Sequence, residues 1–114
     1  MAVSIDTRVL ADGVVLVTLR GEIEHYNAAA LYEAVRGALS RWYPRTIKID
    51  LGLVSFMDSA AIGALVGAYK IAESGGARLV VQNPSPFAHR QLRVAGVADM
   101  LGVPPAEHGD SPVR

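Results

Sequence analysis

The 114-residue sequence contains no cysteine, which rules out disulfide bonds and thiolate metal ligands. Its 11 basic and 11 acidic side chains balance, so the chain lacks the excess positive charge that draws proteins to nucleic acids or anionic membranes. No apolar run approaches the ~20 residues of a membrane-spanning helix, and the first residues do not form an export signal. We therefore predict a cytoplasmic protein with no nucleic-acid or membrane partner.

The sequence also lacks the short motifs of common enzymes. It contains neither the G-x-S-x-G turn of hydrolases nor the glycine-rich loops G-x-x-x-x-G-K-[ST] and G-x-G-x-x-G that hold phosphates. The three histidines, His25, His89 and His108, are too scattered for a metal site. A hydrolytic triad of Ser59 with His25 or His89 and a carboxylate remains a minor alternative. We predict no enzymatic activity, no metal and no cofactor.

The length and composition of the chain predict one folded domain. Hydrophobic residues make up 51% of the chain, which is enough to bury a core at this length. We assign residues 1–103 to this domain. Residues 104–114, "PPAEHGDSPVR", have little to bury and are predicted to form a flexible tail.

Hydrophobic periodicity and turn residues predict an α/β fold. An Asp–Gly turn at Asp12 and Gly13 predicts an antiparallel hairpin, and the later strand–helix–strand passage predicts a parallel pairing. The expected architecture is a mixed sheet of four or five strands covered by helices, in the order ββαβαβα plus a short C-terminal element. The predicted elements are strands Val3–Leu10, Val14–Arg20, Arg45–Leu51 and Ala77–Gln82, helices Ala28–Trp42 (with Asn27 as N-cap), Ser59–Ser74 and Pro84–Ala95, and a loop over Gly52–Asp58.

The second predicted helix has two different faces. One face carries the larger apolar side chains and is expected to pack on the sheet. The other face is nearly smooth, and a smooth face lets another backbone come close. That backbone can belong to a partner or to this protein's own sheet or neighbouring helix, and the helical pattern alone leaves both open. The sheet-facing set is Ile62, Leu65, Val66 and Tyr69, and the smooth set is Ala60, Gly63, Ala64, Gly67 and Ile71.

Asp58 and Ser59 stand where the predicted strand and loop give way to this helix. Serine is a favoured N-cap, so capping explains Ser59. Capping by Ser59 does not explain the acidic Asp58 beside it. Loops after strand ends are where ligands and partners usually meet an open α/β sheet. We therefore predict a functional site at this junction.

Three segments of the sequence resemble one known family. "IDLGLVSFMDSAAIGALVGAYKIAESGGARLVV" is similar to the signature of STAS domains, and in particular of the stand-alone anti-sigma factor antagonists of bacteria. "GEIEHYNA" resembles the family pattern G-E-L-D-x-x-T/N-A, and "LRVAGVADMLGV" resembles its closing element. The likeness runs from Val3 to Val103. The residues that match the family motif F-x-D-S-[ST]-G-[LI]-G are Phe56, Asp58, Ser59, Ile62 and Gly63.

Three positions depart from the family pattern. Ala60 replaces the usual Ser or Thr, which leaves Ser59 as the only hydroxyl of the motif. Ala61 replaces the usual Gly, and we expect its methyl group to alter the fit of a partner at this turn. Glu24 replaces the usual Asp, which keeps the charge and extends its reach.

The resemblance implies an anti-sigma factor antagonist. Such a protein, unphosphorylated, binds an anti-sigma factor that is often a serine kinase, and phosphorylation of its serine, here Ser59, ends the binding. A serine phosphatase and a monomeric or weakly dimeric state are also expected. The alternative is an unphosphorylated STAS scaffold or interaction subunit of a larger signalling complex, which Ala60 and Ala61 keep open. The expected partner-binding residues are Asp58, Ser59, Ala60, Gly63, Ala64, Gly67, Glu22, Glu24, His25 and Asn27.

Overall fold

A computed structural model of the protein describes residues 3–105. The predicted order ββαβαβα is confirmed. Among these residues no helix is long and apolar enough to cross a membrane. Most of the predicted tail, residues 106–114, lies outside the described residues. The elements are β1 Val3–Val9, β2 Val14–Ile23, α1 Ala28–Trp42, β3 Thr46–Met57, α2 Ser59–Ser74, β4 Arg78–Gln82 and α3 Pro86–Val94.

Four strands form one mixed sheet in the order β1-β2-β3-β4. The antiparallel hairpin β1–β2 and the parallel pair β3–β4 are as predicted. The structure also pairs β2 with β3 in parallel. Asp12 and Gly13 both have positive φ angles, 62° and 74°, a conformation that Asp–Gly sequences tolerate in hairpin turns. The segment after α3 adds to the edge of the sheet, because the amide of Val81 donates to the Leu101 carbonyl over 2.8 Å.

One face of the sheet carries the hydrophobic core, and α1 and α2 cover it. Alternate strand residues point into this core, as expected for a sheet with one covered face. Among residues 3–105 the buried set contains no polar or charged side chain. The largest fully buried side chains include Leu19 and Ile23 of β2, Leu31 of α1, Ile47, Ile49 and Leu51 of β3, Leu65 of α2 and Leu79 of β4.

The predicted sheet-facing stripe of α2 was partly wrong. Leu65 is fully buried, but Ile62, Val66 and Tyr69 are only half-buried. The prediction assigned the larger apolar side chains to the sheet-facing side of the helix. In the structure mostly alanines lie there, and their small size lets the helix backbone lie close to the strands. The buried residues of α2 are Ala61, Leu65, Ala68 and Ala72.

Strand β3 continues through the segment predicted to be a loop, so that prediction was wrong. It pairs with β2 as far as Met57, and the pairing shifts between Thr18 and Arg20 and again between Gly21 and Glu22. At each shift β3 contains one extra residue, and such bulges break the period-2 alternation by which a strand is recognised. β2 is correspondingly longer than predicted and ends at Ile23.

Helix α3 lies along the second half of β3, beyond the end of β4. It begins at Pro86, two residues later than predicted, because Ser85 caps it. The Ser85 hydroxyl oxygen accepts from the Ala88 amide at 3.1 Å and donates to the Val54 carbonyl at 2.6 Å. The Ser85 side chain therefore ties the helix start to the bulged part of β3.

We expect Ser85→Ala to lower the free energy of unfolding by about 1–2 kcal/mol, because it removes a helix cap and a hydrogen bond to the sheet. Urea denaturation measures the change. Ser74→Ala, at the exposed last residue of α2, is the control and should change stability little. Equal stability of the two variants would contradict the role assigned to Ser85.

Candidate partner-binding site

The site lies where the carboxyl ends of β2 and β3 meet. Because these strands are parallel neighbours, the loop after β2 and the turn between β3 and α2 emerge at the same edge of the sheet. The amide of Asp58 donates to the carbonyl of Ile23 over 3.2 Å. The two segments are thus in direct contact, as their proposed common role requires.

Asp58 joins the two segments through its carboxylate. One oxygen, Oδ1, accepts from the Ala61 amide in the first turn of α2 at 3.0 Å. The other, Oδ2, accepts from the His25 amide in the loop after β2 at 2.9 Å. We call this pair of hydrogen bonds the Asp58 clasp. The clasp fixes the start of α2 relative to the loop.

The cap of α2 is therefore Asp58, and the prediction that Ser59 caps the helix was wrong. Asp58 has the extended backbone of an N-cap, with φ −102° and ψ −174°, and Ser59 is the first helical residue. The sequence offered two adjacent residues that are both good caps. Only the backbone conformation decides between them.

The clasp also sets the charge of the site. The hydrogen bond from the Ala61 amide is the largest effect and lowers the pKa of Asp58 below its ordinary value. Partial burial opposes this shift as the second-largest effect, and the amides of His25 and Ala60 add smaller contributions that lower the pKa. Asp58 is consequently ionised at neutral pH. The His25 ring adds little, since its Nδ1 is 3.9 Å from Oδ2 and its side chain is 79% exposed.

The loop after β2 is held by Asn27. Its Oδ1 accepts from the Glu24 amide at 2.8 Å, and its Nδ2 donates to the Glu22 carbonyl at 3.0 Å. Asn27 occupies the predicted cap position of α1, but its side chain makes no capping hydrogen bond to that helix. Its observed role is to hold the loop, which carries Glu24, against Glu22 at the end of β2.

Tyr26 is a surface residue of this loop that the sequence analysis missed. Its hydroxyl donates to Glu24 Oε2 at 3.0 Å, and that hydrogen bond raises the pKa of Tyr26. The ring is 57% exposed and meets the His25 ring edge-on, with centroids 5.5 Å apart. An aromatic side chain beside two acids was the available sequence signal.

The chain is similar in sequence to known proteins. The family model described as "Mlab, STAS domain" matches residues 7–102. The anti-sigma-B factor antagonist of Bacillus subtilis (strain 168) is 31% identical over 98 residues, which cover 82% of this chain and 84% of that protein. The chain belongs to the STAS domain family, in the group of the anti-sigma factor antagonists. The anti-sigma F factor antagonist of Paenibacillus polymyxa is 29% identical over 91 residues, covering 80% of this STAS domain and 78% of the relative.

Solved structures share the fold of this STAS domain. The anti-sigma factor antagonist SpoIIAA in its unphosphorylated form gives a TM-score of 0.73 at 23% identity, over 84% of each chain. The Bacillus cell fate determinant SpoIIAA in its phosphorylated form gives 0.68 at 22% identity, over 97% of this chain and 100% of the other. The predicted STAS fold is confirmed.

The smooth face of α2 divides into two parts. Gly63 is exposed, and a Cβ there would meet nothing within 4 Å. A Cβ at Gly67 would lie 3.4 Å from the Tyr32 ring of α1, an ordinary contact distance, so this position faces another helix of the domain and not open space. Ala60 and Ala64 are half-buried against the core. The part of the face open to a partner is centred on Gly63.

The expectation about Ala61 was wrong. Its relative exposure is 0%, so its methyl group lies in the core and is not presented to a partner. Ser59, by contrast, is exposed. Ala61 therefore contributes nothing to the exposed surface around Ser59.

The remaining predictions concern histidines and metals. Within residues 3–105, Ser59 makes no hydrogen bond to His25 or His89, and His89 Nε2 lies 2.7 Å from the Pro104 carbonyl oxygen. His108 is outside the described residues. The described part of the chain contains no group of three His, Cys, Asp or Glu residues that could hold a metal ion.

The lowered pKa of Asp58 predicts that the stability of the folded protein depends on pH. Because the folded-state pKa of Asp58 is lowered, its contribution is complete above the unfolded pKa of about 3.9 and is lost as the pH falls through the folded value. We expect Asp58→Ala to melt at a lower temperature than the wild type at pH 7, with a difference that shrinks in acid. Circular dichroism at several pH values measures this.

The matched control is His25→Ala, which removes the exposed ring but keeps the backbone amide that donates to Asp58. It should melt close to the wild type at pH 7. A difference between wild type and Asp58→Ala that grew on acidification would contradict the assignment.

Proposed function

We propose that this STAS domain is an anti-sigma factor antagonist switched by phosphorylation of Ser59. Without phosphate it binds an anti-sigma factor that is also a serine kinase, and a sigma factor is released. The observation that carries the proposal is that Ser59 is exposed at the first position of α2, next to a junction held by Asp58. The names of the curated relatives support the partner class, and a SpoIIAA structure in phosphorylated form supports the modified state.

The fold is suited to carry a phosphate at Ser59. The clasp that organises the junction uses the Asp58 carboxylate and two backbone amides, so modifying the Ser59 hydroxyl removes none of its hydrogen bonds. A helix N-terminus also favours negative charge. The phosphorylated protein should therefore remain folded with its site in the same arrangement.

Binding is expected to respond differently. A phosphoserine adds about −1.5 to −2 charges at pH 7, at the end of the molecule that already carries Glu22, Glu24 and the ionised Asp58. Bringing such charge into a partly desolvated interface shaped for the neutral serine can cost several kcal/mol. Since about 1.4 kcal/mol is tenfold in affinity, one phosphate suffices to separate bound from unbound protein.

The proposed role is binding, and it assigns no catalytic residue to the chain. The kinase and a serine phosphatase are proposed as separate proteins that act on Ser59. A switch for transcription factors would work in the cytoplasm, and we place the protein there.

A second candidate is a constitutive STAS scaffold that is never phosphorylated. Ala60 favours it, because the hydroxyl usual at that position is missing. The burial of Ala61 removes the other argument for it. A stable high-order assembly on a sizing column would support the scaffold, whereas a monomer or weak dimer would support the switch.

The switch is tested with the anti-sigma factors encoded in the same genome. We expect one of them to phosphorylate the wild type with ATP and to bind it without ATP. Ser59→Ala should bind and resist phosphorylation, and Ser59→Asp should bind at least tenfold more weakly, because one negative charge reproduces part of the repulsion. Mass spectrometry and titration calorimetry measure the two effects.

Ser74→Asp is the control, since it adds the same charge at the exposed far end of the same helix. It should bind as the wild type does. If Ser59→Ala were still phosphorylated and Ser59→Asp bound normally, the proposed switch would be wrong.

A further inference from the structure

Two apolar side chains of β3 lie beside the candidate site, on the face of the sheet away from the core. Leu53 is 52% exposed and Phe56 is 39% exposed, although both lie within β3. The Phe56 ring lies against the ring of Phe87 from α3, with centroids 5.4 Å apart. We call these three residues the Phe56 patch.

The two bulges of β3 create this patch. Leu53 pairs with Arg20 and Phe56 pairs with Glu22 on β2, whereas the fully buried Val54 and Met57 carry the contacts with the core. Paired residues point to the same side of a sheet, so the bulges turn two large apolar side chains outward between a basic and an acidic neighbour.

Hydrogen bonds hold α3 beside the patch. The Ser85 hydroxyl donates to the Val54 carbonyl at 2.6 Å, and Gln91 Nε2 donates to the Met57 carbonyl at 3.4 Å. These hydrogen bonds attach α3, and with it Phe87, to the bulged part of β3. Exposed apolar side chains rimmed by polar ones are typical of protein interaction sites.

The patch is continuous with the site at Ser59. Phe56 is two residues before Asp58, and its pairing partner Glu22 belongs to the acidic side of the site. Phe56 and Ser59 thus lie on either side of Asp58 at the same end of the sheet, next to the loop after β2. This continuity identifies the occupant of the patch with the partner that docks at Ser59.

We propose that the Phe56 patch receives an apolar side chain of the same anti-sigma factor. This inference rests on the proposed function. The proposed interface then has two parts. The charges around Ser59 control whether binding occurs, and the Phe56 patch supplies affinity that does not depend on charge.

Titration calorimetry with the full chain and the anti-sigma factors of the same genome tests the proposal. We expect Leu53→Ser to weaken binding about tenfold or more while keeping the wild-type melting temperature. Leu53→Thr, which suits a strand better, is the second variant and should show the same loss. Val94→Ser is the matched control, because Val94 is an aliphatic residue, 79% exposed, at the far end of α3, and it should bind normally.

Two results obtained with folded variants would overturn the inference and leave the proposed function standing. One is wild-type affinity of both Leu53 variants when Ser59→Asp has lost binding. The other is a change in molar mass of the Leu53 variants alone in light scattering, which would show that a second copy covers the patch. Loss of folding in both variants would also overturn it, because the patch would then serve the fold. Normal binding by Ser59→Asp would instead contradict the proposed function.

Discussion

The Asp58 carboxylate is the interaction on which the site depends. Its two oxygens bind one amide of α2 and one amide of the loop after β2, and the parallel pairing of β2 and β3 brings those amides within reach of a single side chain. The hydroxyl of the next residue, Ser59, takes no part in this arrangement. Under the proposed function, structure and regulation fall to adjacent residues, so a modification of Ser59 would change what the surface binds without changing the Asp58 clasp.

Most of the fold follows from local patterns in the sequence. For the Asp–Gly turn, the two long helices and the β-branched strands, local sequence preference and tertiary packing favour the same structure. Local patterns are therefore enough to predict these elements. The second half of β3 could not be predicted in this way. Each bulge moves the alternation by one residue, and Gly52, where a Cβ would collide with the Asn83 side chain, resembles a loop glycine. Pairing with β2, which makes this segment a strand, is a long-range contact.

The candidate site was predicted in position and less well in detail. Asp58 and Ser59 are both good N-cap residues. The cap was predicted at Ser59 and lies at Asp58, because capping depends on which residue has the extended backbone. Gly63 and Gly67 lie on the same side of a helical wheel. Only the structure separates them, since the ring of Tyr32 covers one and leaves the other open. Local sequence specifies which residues gather at the junction, and tertiary packing specifies which of them face outward.

The intact mass of the protein isolated from its own cells tests the central claim most directly. Affinity capture of the anti-sigma factor divides the protein into a bound pool and a free pool. The intact mass of the protein is then measured in each pool. The account predicts one phosphate, located at Ser59, on folded protein in the free pool and none in the bound pool. A phosphate at Ser59 in the bound pool would contradict the account, and so would the absence of this phosphate from both pools.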